Sequence, residues 1–276
     1  SLIKFSHTIF AMPFAIIGFM LAIQDYDANI MTFIYVILSM IFARSAAMAF
    51  NRYLDRDIDK KNIRTAKIRE IPNGSIKARS AILFAIINAI LFILTAFLIN
   101  RLCFFLSPVA LFIILGYSYT KRFTSFCHIV LGIGLGLAPL GSYLAVANEF
   151  NSLAILFSVL VIFWVSGFDI IYSLQDFHFD KNHKLNSIPV LFGIEKALII
   201  CKILHFACIS TTVIIGLLGD FNFFYWIGAI IFSSLIIYQN FIVKSTDLTK
   251  INLAFFTTNG VASILFCILI ILDLNI

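Results

Sequence analysis

A chain of 276 residues with 61% hydrophobic and only 12% charged residues is no soluble globule, since such domains carry roughly 25% charge. A mean hydropathy of +1.02 places most of it in lipid or against other helices. The net charge of +6 needs no nucleic-acid partner, because its basic residues follow a membrane topology.

A spanning helix needs roughly 20 mostly apolar residues. Nine stretches qualify, near 6–24, 30–51, 80–99, 102–120, 125–147, 150–173, 196–218, 223–243 and 252–272. The expected fold is all-α: a polytopic bundle of nine transmembrane helices, with 1–276 as one domain. No short hydrophobic stretch with a cleavage site precedes the first span, so no secretory signal is expected. Of 20 Lys and Arg, 18 fall on the side of the N-terminus, Arg101 stands alone on the other, and Arg44 lies inside the second span. The positive-inside rule then predicts a cytoplasmic N-terminus and a multi-pass protein of the cell's inner, cytoplasmic membrane.

Two connections are long, 52–79 after the second span and 174–195 after the sixth, and both are charged and on the predicted cytoplasmic side. Connections of this length are usually functional or disordered; here both hold turn signals, Ile71-Pro72-Asn73-Gly74 and Ser187-Ile188-Pro189. The second span closes on Asn51-Arg52-Tyr53-Leu54-Asp55-Arg56-Asp57-Ile58-Asp59, the sixth on Tyr172-Ser173-Leu174-Gln175-Asp176-Phe177-His178-Phe179-Asp180. Overlaid, Asn51, Asp55 and Asp59 match Tyr172, Asp176 and Asp180, and Asp169 precedes Asp176 by seven residues.

Four residues of helix advance about 6 Å and return to nearly the same face. Each motif should therefore present a ladder of oxygens. Like charges at this spacing cost a few tenths of a kcal/mol, and an acid near the bilayer centre costs roughly 2.5–3.5 kcal/mol. A cation relieves both penalties. Hard oxygens on one face suit Mg2+, which takes one or two carboxylates plus substrate phosphates. Solvated helix ends would explain a single motif, but two of them, each closing a span on the same membrane side, point to a metal site. Nine basic residues in 52–79, Arg64 and Arg69 among them, sit where a diphosphate would want partners. They equally serve topology and contact with anionic lipid.

These motifs resemble the UbiA superfamily of intramembrane aromatic prenyltransferases. The resemblance rests on the Asn-x-x-x-Asp-x-x-x-Asp run from Asn51, the Arg64-Thr65-Ala66 and Arg69-Glu70-Ile71-Pro72-Asn73-Gly74 segments, and the Asp169 to Asp180 motif with its Leu185-Asn186-Ser187-Ile188-Pro189 sequel. His7 to Phe14, Tyr117-x-x-x-Lys121 and Asn252 to Gly260 fit the same family. The resemblance implies nine helices, a cytoplasm-facing active site and Mg2+. It assigns one metal to Asn51, Asp55 and Asp59 and another to Asp176 and Asp180, with Asp169 completing the second motif. Lys121, Arg64, Arg69 and Tyr172 would meet substrate, and Tyr117 would lie near the ionising end of the prenyl chain. Arg44 corresponds to a position near the aromatic acceptor. Arg52 departs from the family, many members of which have Asp there.

The function this implies is transfer of a polyprenyl group from polyprenyl diphosphate to an aromatic acid resembling 4-hydroxybenzoate, in quinone biosynthesis. A dihydroxynaphthoate acceptor of menaquinone biosynthesis is the alternative within the class. A cation-coupled transporter is the alternative outside it, disfavoured because the acids cluster at one membrane face among basic residues. An Arg inside a span needs a partner, so Arg44 is expected to bind the acceptor's carboxylate, to pair with an acid such as Asp169, or to be solvated at the cytoplasmic end of the second span. Cys103, Cys127, Cys201, Cys208 and Cys267 read as packing thiols, His178 and His183 are too irregularly spaced to be expected as metal ligands beside ready oxygen donors, and His7, His128 and His205 read as helix-end or packing residues. Gly132, Gly134, Gly136, Pro139 and Gly141 read as a close-packing or kinking stretch.

Overall fold

The computed structural model describes residues 10–276, so Lys4, His7 and the start of the first predicted span lie outside the described residues. Among the described residues, nine principal helices follow the predicted order: α1 (Met12–Ala22), α2 (Ile30–Leu54), α3 (Ala78–Ile99), α4 (Arg101–Thr120), α5 (Cys127–Ala147), α6 (Ser152–Ser173), α7 (Ile194–Leu218), α8 (Phe223–Ile242) and α9 (Asn259–Leu274). Eight helical spans among the described residues are long and apolar enough to cross a membrane, the last of them Leu253–Leu274, which ends in α9. The described part of the ninth, α1, has 11 residues.

Local sequence sets the ends. At the end of the bundle away from the two long connections, asparagine side chains cap three helices: Asn29 accepts from the Thr32 amide (2.8 Å), Asn100 from Cys103 (2.8 Å) and Asn151 from Leu153 (2.8 Å). Such caps satisfy amides that the first turn leaves unpaired. At the opposite end the four basic connections meet. The Asn186 amide donates to the Lys121 carbonyl (2.8 Å), Arg122 donates to the Leu54 carbonyl (2.7 Å), and Gln175 donates to Asn252 (3.2 Å).

The core is built on α6. Trp164 is fully buried, with Phe14 of α1 at 5.3 Å and Phe232 of α8 at 5.6 Å between ring centroids. Its indole Nε1 donates to Asn259 (3.0 Å), which also takes a bond from Gln239 (3.2 Å). Inside lipid, helices associate through close packing and such polar bonds more than through hydrophobic transfer. The glycine stretch of α5 divides accordingly. A Cβ on Gly132 would sit 2.6 Å from the Ile162 carbonyl of α6 and one on Gly136 2.9 Å from that of Ser158, so these two seat α5 against α6. Gly134 and Gly141 instead line a chamber.

The last span does not begin as an α-helix. Leu253–Thr258 is a π-helical turn, a local widening that often marks functional sites. The Asn259 side chain bonds back to the carbonyls of Ala254 (3.2 Å) and Phe255 (2.9 Å).

Candidate active site

Each acidic motif sits where a spanning helix gives way to a short one. Asp55 closes α2 and precedes the six-residue helix Arg56–Lys61, with φ −89° and ψ 6°. Asp176 ends a 3-10 turn after α6 and precedes the six-residue helix Phe177–Asn182, with φ −102° and ψ 5°. The expected continuous ladders are thus broken at their first acid. Aspartate favours the start of a helix, and the positive end of the new helix relieves the charge that a long helix would stack. The spacing survives, because the Asp59 amide still bonds the Asp55 carbonyl (2.7 Å). The bend leaves Asp59 and Asp180 buried.

Cations from other segments hold these acids. Arg64 grips Asp176 through two nitrogens, Nη2 on Oδ2 and Nε on Oδ1 (3.1 Å), and the Asn62 amide adds a bond to Oδ1 (3.0 Å). Lys121 Nζ lies 2.7 Å from Asp180 Oδ2, while Asp180 Oδ1 has no hydrogen-bond partner. Asp55 takes a bond from Asn51 (3.0 Å) and has Arg122 at 3.5 Å; Asp59 has Arg69 at 4.0 Å. Burial, with the Asp59 charge beside it, pushes the Asp55 carboxyl up to about 6, against the pull of Arg122 and Lys121. Burial likewise raises the Asp59 carboxyl, opposed by Arg52 and Thr65.

Both motifs face a polar cavity of about 160 Å³. Beside it lies a larger, mostly apolar chamber of about 540 Å³ between α2, α3, α4, α5 and α6. Asn51, Arg69, Tyr117, Asp169 and Tyr172 line both, so the two spaces adjoin there. Arg44 lines the chamber, its Nε without a hydrogen-bond partner, and among the described residues no acid pairs with it. Tyr172 stacks on Phe255 of the π-helical turn, ring centroids 4.1 Å apart.

This coupling of an acid- and cation-lined cavity to an apolar chamber within a helical bundle matches the family comparison. The UbiA prenyltransferase family model matches residues 11–261. The chain belongs to this family. It is 27% identical over 234 residues to a 4-hydroxybenzoate octaprenyltransferase from Francisella tularensis subsp. mediasiatica, covering 85% of this chain and 82% of that one. The apo structure of a UbiA homolog from Aeropyrum pernix superposes with TM-score 0.88 at 30% identity, covering 98% and 99% of the two chains. A UbiA homolog from Archaeoglobus fulgidus bound to DMAPP and Mg2+ shares the fold, with TM-score 0.72, 23% identity and coverage of 98% and 96%. As a UbiA-family member, the chain is a multi-pass membrane prenyltransferase.

All twelve residues singled out in the UbiA motifs gather at the two spaces; Arg44 lines the chamber alone, and six others the polar cavity alone. Their pairing differs from expectation. Asp169, weighed as a partner for Arg44, instead accepts from His128 Nδ1 (2.7 Å), so His128 is no mere packing residue. Arg64 and Lys121 meet acids directly. Asn62, Arg122 and His128 went unrecognised as site residues. Asn62 carried only the signal of a cap residue, Arg122 that of a topological charge beside Lys121, and His128 that of a polar residue opening a span. His205 is buried and bonded by Asn240 (2.7 Å), as a packing role requires.

The donor set fits a hard divalent cation. Asp180 Oδ1 is a buried, unpartnered oxygen facing the polar cavity. Among the described residues, no three of His, Cys, Asp and Glu converge into a ready cage. That is the arrangement of an ion which completes its shell with substrate oxygens and water.

Proposed function

We propose that this chain transfers a polyprenyl group from polyprenyl diphosphate to an aromatic acid resembling 4-hydroxybenzoate, with Mg2+, at the cytoplasmic face of the inner membrane. The observation that carries this reading is Arg44. A cation with an unpartnered Nε lies in an apolar chamber that adjoins the acidic cavity. An intramembrane guanidinium with a buried, unpartnered Nε calls for a ligand carboxylate held as a fork. The Francisella relative's name specifies 4-hydroxybenzoate, and the Archaeoglobus neighbour holds DMAPP with Mg2+. The positive-inside charge distribution supports a cytoplasmic side for the acids.

Asn51, Asp55 and Asp59 would hold one Mg2+, and Asp176 and Asp180 another. Bound there, Mg2+ supplies charge neutralisation for the departing diphosphate. Arg64, Lys121 and Arg69 would add fixed positive charge around the phosphate oxygens. Tyr117, which lines both spaces, would offer its ring face to the allylic cation. The apolar chamber excludes the water that would otherwise capture that cation. Arg44 would orient the acceptor so that its electron-rich ring attacks.

The test is an assay of membranes with Mg2+, a polyprenyl diphosphate and a panel of aromatic acids that includes dihydroxynaphthoate. Prenylated 4-hydroxybenzoate is expected. No product from any acceptor overturns the enzyme reading. Arg44→Ala is expected to raise the acceptor's KM far more than the diphosphate's, and equal effects on both would remove Arg44 from the acceptor site.

A further inference from the structure

We infer that Asp169 is the base that takes the ring proton from the prenylated acceptor, and that His128 is the residue that positions it. This rests on the proposed aromatic acceptor and goes beyond it, since diphosphate ionisation needs neither residue. Asp169 is the single acid among the residues lining the chamber, where Arg44 supplies the cation for an acceptor carboxylate. It also lines the polar cavity, so it stands at the junction the diphosphate leaves through. The other four motif acids line the polar cavity alone.

His128 fixes that carboxylate. Its ring is buried in the first turns of α5, and Nδ1 lies 2.7 Å from Asp169 Oδ2. An ionised carboxylate only accepts, so Nδ1 carries the proton and donates. Among the described residues no other group bonds Asp169, which leaves Oδ1 free. Nε2 of His128 is buried without a partner, and His128 lines the polar cavity but not the chamber. It therefore reaches the acceptor only through Asp169. This is a base oriented by a second group, as in other acid–base sites.

The step balances. The bond between prenyl C1 and the diphosphate oxygen breaks, with its electron pair leaving on the diphosphate. Ring π electrons form the new bond from the acceptor to C1. The ring carbon then gives its proton to Asp169 Oδ1, and the C–H electron pair restores the aromatic ring. Asp169, now neutral, passes the proton to the diphosphate or to water in the adjoining polar cavity.

The experiment uses the full chain in membranes, a polyprenyl diphosphate, Mg2+, and 4-hydroxybenzoate either unlabelled or deuterated beside the hydroxyl. With the base in place, loss of the ring proton is fast and the wild-type protein shows no primary isotope effect on kcat. His128→Ala is expected to lower kcat about 10- to 100-fold, the cost of a misplaced catalytic group, with the diphosphate KM unchanged. A primary isotope effect should appear with it. His128→Asn, which keeps a donor near Nδ1, should regain most of the rate and lose the isotope effect. His128→Ala combined with Asp169→Asn should be no slower than Asp169→Asn alone. The isotope ratio is independent of how much protein folds, so a merely structural loss leaves it at the wild-type value, and that result overturns the inference. A dead His128→Asn variant overturns it too. Absence of product from the wild-type protein with this acceptor refutes the acceptor reading itself and takes the inference with it; product from wild type but no isotope effect in His128→Ala refutes only the inference.

Discussion

Asp55 and Asp176 share a backbone conformation, and each opens a six-residue helix that buries a second acid one turn on. Their partners differ. Asp176 takes two guanidinium bonds from Arg64 and one from Asn62, and Asp180 meets Lys121 at 2.7 Å. Asp55 and Asp59 have their nearest cations at 3.5 and 4.0 Å. The second half-site is thus neutralised by residues from the first long connection and from the end of α4. The first is held loosely, and burial, with the Asp59 charge beside it, raises the Asp55 carboxyl. Two similar motifs have been put to different ends: one locks segments together, the other is left short of positive charge.

The largest effect should come from removing the first acid of either half. Asp55→Ala and Asp176→Ala are each expected to lower kcat/KM by about 10³-fold, the scale on which a single preorganised electrostatic group acts; steady-state assays check this. A full-rate variant would dissolve the half-site it came from. Next comes the lock. Lys121→Met leaves Asp180 buried and unpaired, which should cost about 3–5 kcal/mol, read as a lower thermal midpoint in detergent. Adding Asp180→Asn should return part of it.

The loose half should respond to pH and metal together. With the folded carboxyl of Asp55 at about 6, above its ordinary value of 3.8, the folded state binds a proton that the unfolded chain has lost. Between those values its contribution to stability falls as pH rises. Mg2+ needs the ionised form, so the rise in thermal midpoint on adding Mg2+ should grow from pH 5 to pH 7. A shift independent of pH would mean that Asp55 takes no part in binding. The smallest effect is expected at Arg122, whose side chain is 40% exposed. Arg122→Gln should move stability by no more than about 1 kcal/mol, checked by the same melting measurement.

Much of this was legible in the sequence, for reasons that differ by element. The spans were readable because lipid demands long apolar runs, and Asp55 to Asp59 and Asp176 to Asp180 because acids at such places are costly. The breaks at Asp55 and Asp176 were not, since a spacing of four fits a continuous helix as well as a bent one. The pairings Arg64 with Asp176 and His128 with Asp169 join residues 112 and 41 positions apart. Contacts of that range are set by how α5 and the first long connection settle on α6, which no local pattern records. The π-helical turn was equally hidden; Asn252 to Gly260 fit the family pattern, but nothing in that run marks a π turn or shows that Asn259 ties it to α6.

The chamber has a consequence for how such a protein must be measured. Its volume of about 540 Å³ is that of a site for one compact ligand, too small for an aromatic acid together with a long polyprenyl tail. Val109 of α4 lines it and is 54% exposed on the apolar flank of the bundle, so the excess tail has the bilayer to occupy. The surrounding lipid then serves as both reservoir and solvent for the prenyl chain. Saturation is governed by the number of prenyl molecules per lipid, not per litre, and diluting the membrane with extra lipid should slow turnover even when the total amount of every reactant is unchanged.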